Sequence, residues 1–219
     1  MSEKETRIER KFVFGKHNKE NIEKFLLVNN FKKVYPDRKI NTIYLDTENF
    51  DNVRDNINGV SNRKKLRVRW YNDNLDKMYI EIKNKKNFNV WKNVEKINLK
   101  TNEKNLIEDL KKNFFNIKFK NNNDFNYKFV LKTNYKRSYW LSNNNKIRAT
   151  IDIDINASSL NNFSKPVHLG DTVLEFKFNP IHEKHFRDFF SNKFNHLRIQ
   201  KYSKYVRSFL ELENSGINC

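Results

Sequence analysis

The sequence has little of what disulfide frameworks and glycine-rich loops require. Cys219 is the single cysteine among 219 residues, so no disulfide and no cysteine-based metal site can form within the chain. We expect its thiol to lie on a frayed terminus rather than to act as a nucleophile. The 4 glycines form no phosphate-cradling loop and no dinucleotide-binding fingerprint. Asparagine is therefore expected to form many of the turns.

Long apolar runs and acidic residues are also scarce. No run approaches the roughly 20 apolar residues of a membrane-spanning helix, and the N-terminal MSEKETRIERK lacks the apolar segment of a secretory signal. We therefore expect a cytoplasmic protein. Against 44 Lys and Arg stand 26 Asp and Glu, for a formal charge of +18. The expected partner is a polyanion: nucleic acid, an anionic membrane surface, nucleotides or inorganic phosphate chains.

What the sequence does contain is a repeated alternation of charged and apolar residues. It occurs in RIERK, KLRVRW, YIEIKNK, IRATIDIDI and VLEFKF. In a β-strand, a period of two places the charges on one face and the apolar side chains on the other. We predict eight strands, near residues 6–14, 41–47, 63–71, 77–84, 92–99, 127–141, 146–155 and 172–178.

Other segments have the period of amphipathic helices. Four helices are predicted, beginning near Asn18, Thr101, Asn179 and Tyr202. No internal repeat and no linker divides the chain, so we expect one α+β domain over residues 1–219.

Two architectures satisfy the alternation. One is an open antiparallel sheet with helices on its apolar face and water on its charged face. The other is a closed barrel of about eight strands with the charged faces inside. The spacing favours neither. So many like charges inside a barrel would be costly without bound anions or metal, so the barrel would predict a ligand.

The charged faces suggest two kinds of chemistry. Arginine forks and lysine ammonium groups suit phosphate oxygens, and these faces include Arg67, Arg69, Lys83, Arg137 and Arg148. The carboxylates on these same faces are Glu9, Glu81, Asp152 and Glu175. They could hold a divalent cation that bridges phosphates, or they could simply pair with cations on neighbouring strands. Aromatic residues beside basic ones in RVRWY and YKRSYW leave nucleic-acid binding open from the residues alone.

The order of the motifs resembles that of the VTC domain of polyphosphate polymerases, within the triphosphate tunnel metalloenzyme superfamily that includes the CYTH proteins. The motifs are RIERK, TIYLDT, KLRVRWY, YIEIK, VWK, YKRSYW, IRATIDIDI, VLEFK and KYSKY. The resemblance covers about Arg7 to Phe209. It implies an eight-stranded antiparallel β-barrel forming a tunnel, with helices packed on the outside. It also implies transfer of the γ-phosphate of ATP to a growing inorganic polyphosphate chain, with Mn²⁺ or Mg²⁺ and without nucleic acid.

The resemblance assigns roles to particular residues. Catalytic phosphate-handling roles fall on Lys11, Arg67, Arg69, Lys83, Arg137, Arg148 and Lys204. Further phosphate or nucleotide contacts fall on Tyr135, Lys92 and Ser203, and metal binding falls on Glu175. The VWK stretch matches loosely, so Lys96, at the same parity, could replace Lys92.

The first strand departs from the wider superfamily. Arg7 stands where the triphosphatase and cyclase branches have the first glutamate of ExExK, which weakens multi-carboxylate metal binding and favours the polymerase branch. Two other functions stay open, a metal-dependent triphosphatase and a non-catalytic polyphosphate-binding module. No SPX-like region or membrane anchor accompanies the motifs. Export of a product would need a membrane partner protein, with this chain at the membrane periphery; the oligomeric state is open.

Overall fold

The computed structural model describes residues 7–16, 18–86, 89–114, 127–161, 165–191 and 198–219. Within these ranges the chain is an α+β structure of one nine-stranded sheet and five α-helices. The strands are β1 (Ile8–Phe14), β2 (Phe31–Thr47), β3 (Arg63–Tyr71), β4 (Met78–Lys86), β5 (Asn89–Ile97), β6 (Tyr127–Ser142), β7 (Ile147–Ser159), β8 (Val167–His168) and β9 (Thr172–Phe178). The helices are α1 (Lys19–Val28), α2 (Asp51–Ile57), α3 (Leu106–Phe114), α4 (Glu183–Ser191) and α5 (Lys204–Asn214).

The eight predicted strands and four predicted helices all have counterparts. The largest differences are in β2, which begins ten residues before the predicted strand at 41–47, and in β8 and α2, which the sequence pattern did not predict. None of the described helices is long and apolar enough to cross a bilayer.

The sheet is antiparallel and curled. Its strand order is β1-β9-β7-β6-β2-β3-β4-β5, with β8 paired to β7. Between their described residues the edge strands β1 and β5 do not pair, so the predicted closure of the barrel by backbone hydrogen bonds is absent there. Yet Lys83 Nζ on β4 lies 2.9 Å from Glu9 Oε2 on β1. In a flat sheet, six steps of strand spacing would separate these strands by about 29 Å. The face that carries the charges is therefore concave.

The apolar residues of the alternating segments lie on the convex face and are covered by helices. Ile22 of α1 and Phe186 of α4 pack in one cluster with Trp140 and Phe176 of the sheet. A second cluster joins α3 to the convex side chains of β3 and β4, including Trp70. The predicted apolar faces are thus confirmed as core.

Helix α5 differs from the expectation that helices pack on the outside. The ring of Tyr205 stacks on that of Tyr44 with centroids 4.8 Å apart, and Tyr44 lies opposite Arg67 in the β2–β3 register. Directly opposed residues share a face, so α5 packs against the concave side. The reason is that this end of the concave face is apolar, with Leu131 and Ile155 in the same cluster as Tyr205. Cys219 is also buried in this cluster, which corrects the prediction of a frayed terminal thiol.

Candidate functional site

The site lies on the concave face, where strand register brings cations and carboxylates together. Lys11 lies opposite Glu175 in the β1–β9 pair, and Arg67 lies opposite Glu81 in the β3–β4 pair. Arg137 and Asp152 are opposed in the same way on β6 and β7. Since opposed residues in an antiparallel sheet project from the same face, each carboxylate meets at least one cation.

Glu81 is the centre of the first cluster. It is buried, and its carboxylate accepts hydrogen bonds from Arg67 Nε at 2.7 Å and Lys92 Nζ at 2.9 Å. Arg69 Nη1 lies 3.6 Å away. Burial alone would raise the pKa of this carboxyl, but Arg67, Arg69 and Lys92 together lower it to about 2. Glu81 therefore stays ionised and fixes three predicted phosphate ligands in place.

Asp152 is the centre of the second cluster. It is fully buried and accepts hydrogen bonds from Arg137 Nη2 at 2.7 Å and from Lys204 Nζ at the start of α5. Burial opposes ionisation, yet Arg137 and Lys204 lower the pKa of the Asp152 carboxyl to about 2. Lys204 Nζ also lies 4.6 Å from the centroid of the Tyr135 ring. Burial would raise the pKa of the Tyr135 phenol, but Arg137, Arg69 and Lys204 lower it overall.

Glu175 and Glu9 form the third cluster. Glu175 lies 3.2 Å from Lys177 Nζ and 3.6 Å from Lys11 Nζ. Although its burial opposes ionisation, these lysines hold the pKa of the Glu175 carboxyl well below its usual value. Glu9, on the adjacent strand, is paired with Lys83. The pKa of Glu9 is pushed up by burial and by the charge of Glu175 but is lowered overall, chiefly by Lys83.

The third cluster offers two carboxylates to a divalent cation, and both are ion-paired with lysines in this structure. Mg²⁺ and Mn²⁺ accept one or two carboxylates together with waters and substrate phosphates, and Glu9 and Glu175 lie close enough for each to feel the charge of the other. No three His, Cys, Asp or Glu side chains converge as metal ligands in the described ranges. The donor set therefore suits an ion that arrives with phosphate rather than a closed protein cage.

The start of α5 completes the site at the gap between β1 and β4. Lys65 Nζ donates to Ser203 Oγ at 2.6 Å, and Lys11 Nζ donates to the backbone oxygen of Tyr202 at 3.0 Å. Ser203 also caps α5 by accepting from the amide of Val206. We call the space here the basic cavity; its volume is about 630 Å³. The basic side chains that line it include Lys11, Arg63, Lys65, Lys83, Lys85 and Lys201.

The structure brings together ten of the eleven residues singled out by the sequence. They are Lys11, Arg67, Arg69, Lys83, Lys92, Tyr135, Arg137, Glu175, Ser203 and Lys204. Arg148 shares the concave face, opposite Lys177, but it is exposed at one end and forms no hydrogen bond or ion pair with the other ten in the described structure. It lines a separate basic cleft of about 240 Å³ that also contains Lys146 and His182.

For Glu81 and Asp152 the sequence left metal binding and cross-strand ion pairing open, and the structure shows ion pairing; Lys65 was given no role, although the alternation placed it on the correct face. Asp152 and Asp154 are two residues apart, so the alternation assigns both to the same face and does not show which of them lies in the site. The backbone of Asp154 is left-handed, with φ 52°, at an irregularity in the β6–β7 register. Asp154 therefore leaves the concave face and lies near exposed Lys136.

Comparison with known proteins identifies the same family and fold. Residues 6–212 match the model of the VTC domain. Among solved structures, a candidate adenylate cyclase from Bacillus halodurans superposes with TM-score 0.54 at 14% identity, over 94% of this chain and 98% of that chain. One from Vibrio parahaemolyticus gives TM-score 0.53 at 12% identity, over 92% and 97%. At these identities the likeness concerns the fold alone. No curated protein matches the sequence.

Proposed function

The chain belongs to the VTC domain family, and from that premise we propose that it is a metal-dependent polyphosphate polymerase. It transfers the γ-phosphate of ATP to the end of an inorganic polyphosphate chain and releases ADP.

The observation that carries this proposal is the excess of cations along the concave face. Four carboxylates lie there, namely Glu9, Glu81, Asp152 and Glu175. At least ten cations among the described residues share this face or reach it from α5: Lys11, Lys65, Arg67, Arg69, Lys83, Lys92, Arg137, Arg148, Lys177 and Lys204. They come from seven strands and α5, so they suit an extended polyanion better than a single phosphate. Two polyanions that must react with each other need such an environment to offset their repulsion.

The proposed reaction requires the protein to align the reacting phosphates and to stabilise charge, but not to supply a general base. A terminal oxygen of the acceptor chain forms a bond to the γ-phosphorus while the bond from that phosphorus to the β–γ bridging oxygen breaks, and ADP leaves with the bonding electrons. The acceptor oxygen is already anionic, so no general base is needed. The task of the protein is to align the two phosphates and to stabilise the negative charge that develops.

The clusters supply this alignment. Arg67, Arg69 and Arg137 offer guanidinium donors to non-bridging oxygens, and each is already oriented by a buried carboxylate. Lys11 and Lys204 contribute adaptable point charges beside them. Because Glu81 and Asp152 stay ionised, the donors are preorganised before substrate arrives.

Glu175, with Glu9 beside it, is the residue that would hold Mn²⁺ or Mg²⁺. When bound there, such an ion would supply positive charge to the phosphates and to the leaving group. Incoming phosphates can draw Lys11 and Lys177 away from Glu175, which leaves its carboxylate available as a ligand. Arg7 at the start of β1 supports a polymerase rather than a triphosphatase, since it takes the place of one further carboxylate.

The test is to incubate the purified chain with ATP and Mn²⁺ and to follow polyphosphate by gel and free phosphate by a colorimetric assay. We expect a ladder of polyphosphate with little free phosphate, and no product from Glu175→Gln. Release of phosphate without any ladder would replace the proposal with a triphosphatase. Salt-dependent binding without turnover, under any divalent metal, would leave a polyphosphate-binding module.

A further inference from the structure

A second cavity lies beside the basic cavity and has different chemistry. Its volume is about 400 Å³, and α2, the start of β3, the end of β4, β5 and the start of β6 contribute to its wall. Arg63 and Lys85 line both cavities, so the two meet at the rim of the concave face. The volume is within the range of roughly 300–1,000 Å³ that is typical of small-molecule sites. We call it the rim cavity.

The wall of the rim cavity adds aromatic rings and carboxylates to basic side chains, which come from Arg63, Lys64, Lys85 and Lys86. It contains the half-buried rings of Trp91 and Tyr127, and it also contains the carboxylates of Asp51 and Asp55. Carboxylates repel phosphate, whereas aromatic faces bind planar heterocycles by stacking. A neutral aromatic ligand with polar edges suits this wall.

Asn52 provides an independent sign of a missing polar partner. This residue lines the rim cavity and is buried, and its Nδ2 has no hydrogen-bond partner in the described structure. Buried amide donors are nearly always satisfied, so each exception calls for an acceptor. A ring nitrogen of a nucleobase, or a water that links Asn52 to one, would supply it.

We propose that the rim cavity holds the base of a nucleoside triphosphate, with the ribose crossing the rim at Arg63 and Lys85 and the phosphates entering the basic cavity. This inference rests on the proposed function in that it takes ATP as the phosphoryl donor. It adds a place for the nucleoside, outside the cationic face that binds phosphates, and makes Trp91 a specificity residue.

Tryptophan fluorescence tests the assignment. Trp70 and Trp140 are buried, at 2% and 4% exposure, so Trp91 is the tryptophan within reach of the cavity. Titration with ATP should quench the emission of Trp91, and titration with inorganic tripolyphosphate should not. Trp91→Ala should weaken ATP binding by about tenfold and leave the affinity for tripolyphosphate unchanged.

Controls separate stacking from damage to the fold. Trp91→Phe keeps an aromatic face and should largely retain ATP affinity, while Tyr35→Ala removes an exposed ring elsewhere and should change nothing. Unchanged ATP affinity in Trp91→Ala, or an equal loss for ATP and tripolyphosphate, would overturn the assignment. ATP-specific quenching in a protein that makes no polyphosphate would uphold the nucleoside site and refute the polymerase.

Lys65 carries a second inference, independent of the rim cavity. It lies on the concave face of β3, opposite Lys83. The charged groups that act on it most strongly are Lys11, Lys83, Arg63 and Arg67, all cations, and its one hydrogen-bond partner in the described structure is Ser203. Five other lysines of the site each have a carboxylate within ion-pair distance: Lys11, Lys83, Lys92, Lys177 and Lys204. Lys65 has none among the described residues.

The surroundings of Lys65 disfavour its charged form. Burial, together with the repulsion of the four cations around it, lowers the pKa of its ammonium group well below the usual value. A phosphate in the basic cavity would place negative charge beside Lys65 and would therefore favour the charged form of its side chain.

We also infer that Lys65 is a phosphate ligand of the basic cavity and that it takes up a proton when a phosphate chain binds. This deepens the proposed function by adding a ligand that the family motifs did not assign. Proton uptake follows because an anion beside the ammonium group favours the protonated form.

Calorimetry with inorganic tripolyphosphate, without divalent metal, tests this inference. Titrations in buffers of different ionisation enthalpy, at several pH values between neutrality and the ordinary pKa of lysine, report the protons taken up. Lys65→Met should bind about tenfold more weakly or worse and lose the pH-dependent uptake. Lys65→Arg should retain much of the affinity without that uptake, since arginine stays charged.

Lys136→Met is the matched control, because Lys136 is an exposed strand lysine that neighbours Arg137 on the opposite face. Its affinity and proton uptake should equal those of the wild type. Equal uptake in Lys65→Met and the wild type would overturn the inference. Because the probe is not turned over, this outcome is independent of whether the protein makes polyphosphate.

Discussion

Replacing Asp152 with Asn is expected to destabilise the free protein and to make its stability depend strongly on bound polyanions. Asp152 is fully buried, and its charge offsets those of Arg137 and Lys204. The amide of asparagine has nearly the same size but no charge. The variant therefore leaves two cations in a poorly solvated site without a counter-charge.

The size of the effect follows from the carboxyl pKa and from known costs of broken ion pairs. The drop in the pKa of Asp152 from 3.8 to about 2 corresponds to about 2–3 kcal/mol. Removal of one partner of a buried pair costs about 3–5 kcal/mol. For a chain of this size, 1 kcal/mol shifts the unfolding midpoint by about 2–4 °C. We expect Asp152→Asn to lower the midpoint by roughly 5–20 °C.

The assay is thermal unfolding followed by circular dichroism, with and without tripolyphosphate. Tripolyphosphate at a hundred times its Kd should stabilise the wild type by about 2.7 kcal/mol, and it should stabilise the variant more because it supplies the missing negative charge. Asp73→Asn is the control, since the Asp73–Lys39 pair is exposed and such pairs are worth about 0–1 kcal/mol. A variant that melts with the wild type, or that gains no more from tripolyphosphate, would refute the reasoning.

Three further predictions concern the metal ligand, acid stability and the C-terminal thiol. Glu175→Gln leaves Lys11 and Lys177 without their carboxylate, so it is assayed well below its own unfolding midpoint, where it should lose divalent-dependent ADP release. Glu211→Gln on α5 should retain that activity; full activity in folded Glu175→Gln would remove Glu175 from the metal role. The pKa values of Glu81 and Asp152 are depressed from 4.5 and 3.8 to about 2. These groups therefore contribute their full stability above their pKa values in the unfolded chain, and this stability is lost as the pH falls toward 2. Urea midpoints measured over that range should therefore decline, and a flat profile would contradict the assigned pairs. Burial, and to a lesser extent Glu213, raises the pKa of the Cys219 thiol from 9.0 to about 12, which lowers its thiolate fraction at neutral pH about 1,000-fold. A thiol reagent should therefore react much more slowly with the folded chain than with the unfolded chain; equal rates would place Cys219 outside the core.

The alternating pattern predicted most of the strands, and the elements that it did not predict have physical explanations. Charged and apolar side chains alternate strictly through 65–70 and 174–178, and both segments lie in strands with the predicted core face. Helix α2 has only Val53 as a buried apolar residue, so it shows no amphipathic period. Its first turn is fixed instead by a tertiary contact, in which Asp46 accepts the amide hydrogens of Asn52 and Val53.

The site was predictable as a face but not as a set of contacts. Alternation marked the side of each strand that carries Glu81, Asp152 and Glu175, but the cation that each one meets depends on strand register and on the irregularity near Asp154. Helix α5 was predicted from its apolar period. Its packing against the concave face, which brings Ser203 and Lys204 into the site, depends on the stacking of Tyr205 on Tyr44.

The central claim is most directly tested by following the γ-phosphate of ATP. With Mn²⁺ present, ATP labelled at the γ position should transfer its label to polyphosphate, and one ADP should appear for each phosphate added. Label at the α position should stay with the nucleotide. Recovery of the γ label as orthophosphate alone, or release of pyrophosphate, would contradict the account.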